Sequence, residues 1–119
     1  ILVNDVNKAL LDLAKYRNKA LEAKKIAITG SVGKTSTKEM LKLVLSSYMK
    51  TFATHGNFNN DLGLPISLAS TPTDCNFAIY ELGMNHAGEI AKLSSFLQPD
   101  IAIITHVAEN HIGNLGSIE

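Results

Sequence analysis

The chain has 119 residues, 45% of them apolar, with 11 basic and 11 acidic side chains and a formal net charge of zero. That is one domain's worth of sequence with enough apolar content to bury a core, and no apolar run reaches the roughly 20 residues of a membrane span. Aromatics make up 6% with no Trp, which argues against a base-stacking platform for single strands, and the lone Cys75 excludes an internal disulfide and fits a reducing compartment.

Residues 1–7 lack the basic-then-apolar layout of a secretory signal. With no initiator Met and a last stretch of Ser117-Ile118-Glu119, the chain is expected to be a piece of a longer protein. Val6, Leu10, Leu13, Arg17 and Leu21 recur at helical spacing and predict an amphipathic helix over residues 5–23, with Asn4 or Asp5 as its cap. The apolar run 26–29 suits a buried strand. Gly30 to Gly33 break it, and a second helix is predicted over 35–48 with Met40, Leu41, Val44, Leu45 and Tyr48 on one face. A short strand over 51–54 leads into a polar loop over 55–63. Pro65 suits the start of a short helix, and residues 71–74 form a turn. A buried strand over 77–80 runs into Glu81, a helix follows over 87–97, and Pro99-Asp100 separates it from a last strand over 101–105. This alternation predicts an α/β fold containing a phosphate-binding loop (P-loop), with a mainly parallel sheet flanked by helices.

The zero net charge hides an asymmetry: residues 1–50 sum to +6 and residues 51–119 to −6. Two solvated Lys-rich helices would produce that. So would a basic half that holds an anion facing an acidic half that holds a cation.

The stretch Gly30-Ser31-Val32-Gly33-Lys34-Thr35 follows a strand and opens a helix, the setting a phosphate-binding loop requires. Glycines permit the tight turn that lets several N–H groups converge on one anion, and the helix N-terminus adds partial positive charge. Lys34 supplies a full charge for the β/γ-phosphates, the Thr35 hydroxyl can ligate Mg²⁺, and Ser36 keeps the first turn polar. The general pattern places a further glycine at position 28, where this chain has Ile28, so the loop is a G-x-x-G-K-T variant. The bland alternative is a Gly-rich turn with an incidental lysine.

Ligands of open α/β sheets sit at the carboxyl ends of the strands. Glu81 falls there, where a carboxylate could hold Mg²⁺ opposite Thr35. His86, and His111 beyond the last strand, are expected at the same edge. Alone, Glu81 also reads as a solvated loop acid, and either histidine as structural. The spacings exclude a compact zinc site, and Cys75 reads as structural. The loop 56–63 holds three Asn and one Asp; it is either a turn or a substrate loop whose amides grip a polar ligand.

These residues resemble a known family. Residues 28–39 are similar to the phosphate loop of the Mur ligases, the ATP-dependent amide-forming enzymes of bacterial peptidoglycan synthesis, which use the shorter loop. Gly56-Asn57-Phe58-Asn59-Asn60-Asp61-Leu62-Gly63-Leu64-Pro65, the run from Tyr80 to Ile90 and the tail from His111 to Ser117 resemble the branch that handles a dipeptide. The resemblance implies ATP and Mg²⁺ as cofactors, with UDP-N-acetylmuramoyl-tripeptide and D-alanyl-D-alanine joined through an acyl phosphate. It implies that Gly30, Ser31, Val32, Gly33, Lys34, Thr35 and Ser36 bind the nucleotide, and that Thr35 and Glu81 hold Mg²⁺. Lys34 and His111 would act in catalysis, His111 as ligand of a second cation. Asn59, Asn60, Asn85 and His86 would face the substrate.

By the same resemblance, residues 1–24 are a connector helix from an N-terminal domain, and 25–119 are the N-terminal part of the central ATP-binding domain. A monomeric bacterial cytoplasmic enzyme is expected, and the piece alone is not expected to turn over. The competing readings are another Mur-type amino-acid ligase or a folylpolyglutamate synthase, a GTPase switch, and a non-catalytic P-loop module. The switch lacks support because neither N-K-x-D nor a D-x-x-G after a strand occurs. Nucleic-acid binding lacks support because the basic residues spread over two helices without aromatic interleaving.

Overall fold

Burial and hydrogen bonding follow from a computed structural model, which describes residues 2–56 and 58–108. Among these, helices and strands alternate as α1 (Val6–Ala20), β1 (Lys24–Thr29), α2 (Lys34–Ser46), β2 (Thr51–Ala53), α3 (Gly63–Ser70), β3 (Phe77–Glu81), α4 (Glu89–Leu97) and β4 (Ile101–Ile104). The strands form one parallel sheet in the order β2-β3-β1-β4. The central pair is β1 with β3, in a register that sets Ile28 beside Glu81.

Side chains alternate across a strand, and here the two faces take different residues. Ile26, Ile28 and Ile79 point to one face, where Leu41 and Leu45 of α2 cover them with Ala53. Ala27, Ala78 and Tyr80 point to the other, under α1, α3 and α4, with Ala14, Leu64, Leu68, Leu93 and Leu97 filling the space. The small side chains of Ala27 and Ala78 leave room for the Tyr80 ring. The Thr71 hydroxyl gives its hydrogen to the Ser67 carbonyl at 2.8 Å, so the Tyr80 hydroxyl, 2.8 Å away, donates to Thr71. A buried phenol thereby keeps its hydrogen bond.

The two crossovers leave the central pair in opposite directions. From β1 the chain passes through α2 on one face to reach β2. From β3 it passes through α4 on the other face to reach β4. The carboxyl ends of β1 and β3 therefore flank a switch point, where such sheets open a crevice.

Three expectations need correction. Helix α1 stops at Ala20 rather than at residue 23, because Leu21 is extended and with Ala23 turns into the core; its cap is Asp5, whose Oδ1 accepts from Lys8 N at 3.0 Å. Helix α2 does not bury the whole apolar stripe assigned to it. Met40, Val44 and Tyr48 are exposed, while Leu41 and Leu45 face the sheet. The only described helix on that face is α2, so its flanks meet no neighbour. Glu81 is the last residue of β3 rather than the first after it.

Candidate functional site

Gly30 leaves β1 with φ +136°, and Gly33 opens α2 with φ +85°; both are conformations that side chains rarely adopt. Gly33 caps α2 without a side-chain bond. The first-turn N–H groups, at Lys34, Thr35 and Ser36, have no partner earlier in the helix and remain for an anion. Lys34 arches back over the loop, its Nζ donating to the Gly30 carbonyl at 2.7 Å.

The loop is braced from the side by residues 105–108. Thr105 lies beside it because β4 pairs with β1, and its hydroxyl donates to the Val32 carbonyl at 2.6 Å. Ser31 N donates to the His106 carbonyl at 2.7 Å, and Ser31 Oγ accepts from Ala108 N at 3.0 Å. The Ser31 amide therefore faces the brace rather than an open anion site. This brace was not legible in the residue pattern.

Thr35 and Glu81 meet across the switch point: the Thr35 hydroxyl donates to Glu81 Oε2 at 3.0 Å. Glu81 is 3% exposed. Its other oxygen, Oε1, accepts from Asn59 Nδ2 at 3.2 Å. Asn59 is itself fixed by Gly83, whose N–H donates to the Asn59 carbonyl at 2.7 Å. A Cβ on Gly83 would stand 2.9 Å from Asn59 Cγ, so a side chain there would push the Asn59 amide away from Glu81. The hydroxyl keeps its lone pairs while donating, and the carboxylate has further acceptor sites. Together they present hard oxygens suited to one Mg²⁺ that keeps phosphate and water ligands.

A cavity of about 460 Å³ opens beside this pair, walled by Lys34, Asn59, Asn60, Asp61, Asn85 and Glu89 among others. Asn60 Oδ1 accepts from Gly63 N at 2.8 Å and so shapes the turn that leads into α3, with its amide nitrogen on the cavity side. Asp61 pairs with Lys92 of α4 at 2.6 Å. His86 is not part of this wall; its exposed ring lies 3.2 Å from Glu89. His111 lies outside the described residues.

Glu89 was not singled out from the sequence, yet it holds the turn before α4. Asn85 N and His86 N donate to its Oε2 at 2.6 and 3.1 Å. These bonds, the Asn85 one foremost, hold its carboxyl below the ordinary glutamate range. The folded value lies below the unfolded one, so the anchor is in force above the ordinary range and fades as pH falls through the lowered value. Relative to intrinsic rates, the Asn85 and His86 amides are expected to lose exchange protection on acidification, and in Glu89→Ala already at neutral pH. Equal protection in that variant would refute the anchor.

Lys38 was also missed. It is fully buried, with Nζ 3.2 Å from the Gly56 carbonyl, 3.3 Å from Glu39 Oε1 and 3.7 Å from Glu81 Oε2. Its signal was its position four residues after Lys34, which puts both on one helix face.

Comparison with known proteins adds four findings. Residues 28–119 match the family model described as Mur ligase middle domain. The UDP-N-acetylmuramoyl-tripeptide–D-alanyl-D-alanine ligase of Rickettsia prowazekii is 53% identical over the whole chain, which spans 26% of that relative's length. Among solved structures, MurF from Acinetobacter baumannii is 43% identical with a TM-score of 0.89, over 98% of this chain and 26% of that one. MurF from Thermotoga maritima, solved in complex with ADP, is 31% identical with a TM-score of 0.81, over 94% of this chain and 26% of its own.

Proposed function

The chain belongs to the Mur ligase family through its middle domain, and from that premise we propose that it forms part of an ATP-dependent ligase. The ligase joins D-alanyl-D-alanine to UDP-N-acetylmuramoyl-tripeptide through an acyl phosphate. The observation that carries this reading is the 3.0 Å contact of Thr35 with Glu81 across the switch point, beside the Gly30–Thr35 loop and the Asn-lined cavity. The relative at 53% identity, an enzyme of that reaction by name, supports the choice of substrates.

In this reading the first-turn amides of α2 and Lys34 bind the β/γ-phosphates of ATP. Thr35 and Glu81 hold Mg²⁺, which offsets phosphate charge when bound. Phosphoryl transfer needs positioning and neutralisation more than covalent chemistry, and these residues supply both. Asn60 and Asn85 orient the acceptor from the cavity wall. Asn59 acts on the Glu81 carboxylate. His86 contacts substrate only from the rim, and His111 is assigned to a second cation on its motif alone. Residues 1–24 connect to an N-terminal domain, and 25–119 begin the central one. The enzyme works as a monomer in the bacterial cytoplasm, where the buried Cys75 thiol stays reduced.

The test is ligation by the full-length protein that carries this sequence. Product and ADP are expected only when ATP, the UDP-linked tripeptide and D-alanyl-D-alanine are all present, with GTP replacing ATP poorly. Turnover with a single amino acid in place of the dipeptide would assign another Mur-type reaction. Nucleotide binding without ligation would leave a non-catalytic module.

A further inference from the structure

Burying a lysine costs several kcal/mol unless its charge is paired and its hydrogens are accepted. Lys38 meets that requirement with three oxygens from separate parts of the chain. One belongs to Glu39, the next residue on α2 and half exposed; one to Glu81; and one is the backbone carbonyl of Gly56. Gly56 has φ +54° and begins the loop that carries Asn59, Asn60 and Asp61 to the cavity. Lys38 itself is not part of the cavity wall.

The loop therefore reaches Glu81 by two tethers. Asn59 holds Oε1 from the middle of the loop, and Lys38 joins Oε2 to the start of the loop. A buried ammonium has no solvent to fall back on, so the Gly56 carbonyl and the Glu81 carboxylate are held at a fixed separation. Anything that draws on the carboxylate oxygens is felt at the start and at the middle of the loop. Methionine would fill the same volume without the charge, so packing does not explain a lysine here.

We propose that Lys38 is a positioning residue that couples the cation site at Thr35 and Glu81 to the loop 55–62. The coupling rests on the nucleotide-site reading above; the tether itself does not. Lys38 touches neither nucleotide nor substrate and acts through Glu81 and Gly56.

The test is hydrogen exchange of the full-length protein, with and without Mg·ADP, for wild type, Lys38→Met, Lys38→Arg and the double variant Lys38→Met/Glu81→Gln. Mg·ADP binding is measured in parallel by calorimetry. Without nucleotide, the amides of 55–62 are expected to exchange roughly tenfold faster in Lys38→Met, with β1 and β3 unchanged. Mg·ADP should slow that loop roughly fivefold or more in wild type and Lys38→Arg, but not in Lys38→Met, although Lys38→Met still binds it. The double variant removes both buried charges, so it keeps the fold if Lys38→Met does not, and its loop should still exchange fast. Loop exchange equal to wild type in Lys38→Met and in the double variant, or loop protection by Mg·ADP persisting in Lys38→Met, would overturn the proposal. If wild type fails to bind Mg·ADP, the nucleotide-site reading falls and the coupling with it, while the nucleotide-free comparison still decides the tether.

Discussion

Lys34→Ala is expected to lower kcat/KM for ATP in the full-length enzyme by roughly 10³-fold, the scale on which a single cation on a transferring phosphoryl group acts. Stability should change by no more than about 0.5 kcal/mol. The two expectations separate because of what the ammonium does without ligand. Its partner among the described residues is the Gly30 carbonyl, at 2.7 Å, in a part-buried setting. Removing the side chain forfeits that bond and leaves no buried charge behind. With ATP bound, the same ammonium would swing onto the phosphates, where no other described lysine reaches from the cavity wall. Steady-state kinetics together with urea unfolding of both proteins checks the pair. Activity within tenfold of wild type would remove the loop from the phosphate site. A large loss of stability would show that the lysine is structural.

Gly30→Ala is expected to have the largest effect on folding. At φ +136° only glycine is at ease, and an alanine there costs about 1–3 kcal/mol in backbone strain. Its Cβ would also run into the Thr105 hydroxyl and stand 2.9 Å from the His106 carbonyl oxygen and 3.0 Å from the His106 amide nitrogen. Two of these three contacts are backbone atoms of the brace, which cannot rotate away, so overpacking adds about 1–3 kcal/mol. Gly33→Ala is the control. It also has positive φ, but among the described residues its Cβ would meet only the Thr105 Cβ, at 3.9 Å. Its cost should stay near the ~1–2 kcal/mol of left-handed backbone. Urea unfolding of both variants measures the difference. Equal losses would mean that residues 105 and 106 yield to the new side chain and do not brace the loop.

Apolar runs told where the strands lie, because a parallel strand covered on both faces is written as an unbroken apolar stretch. All four appear within two residues of their expected ends. The loop 30–35 was legible as a strand-to-helix turn because Gly30 follows the apolar run of β1 and Gly33, Lys34 and Thr35 stand together. Helix faces were less so. Periodicity shows a stripe on α2 but not how wide a neighbour will cover it, and Met40, Val44 and Tyr48 stay exposed. Lys38 looks like any helical surface lysine until Glu81 and Gly56 are brought to it from distant parts of the chain. The Asn59 amide likewise reads as a ligand for substrate until Gly83 presses it against Glu81. Ser31 and the 105–108 brace depend on β4 lying next to β1, and strand order is not written in local composition.

The placement of β4 has a consequence for the order in which the chain assembles. Thr105 reaches the Val32 carbonyl from 73 residues further along the chain, so the loop 30–35 gains its brace only after β4 has docked on β1. Contacts that distant in sequence close late, because the intervening chain must first be ordered. The final shape of the loop is therefore set by the last strand of the described residues rather than by the strand and helix that flank it.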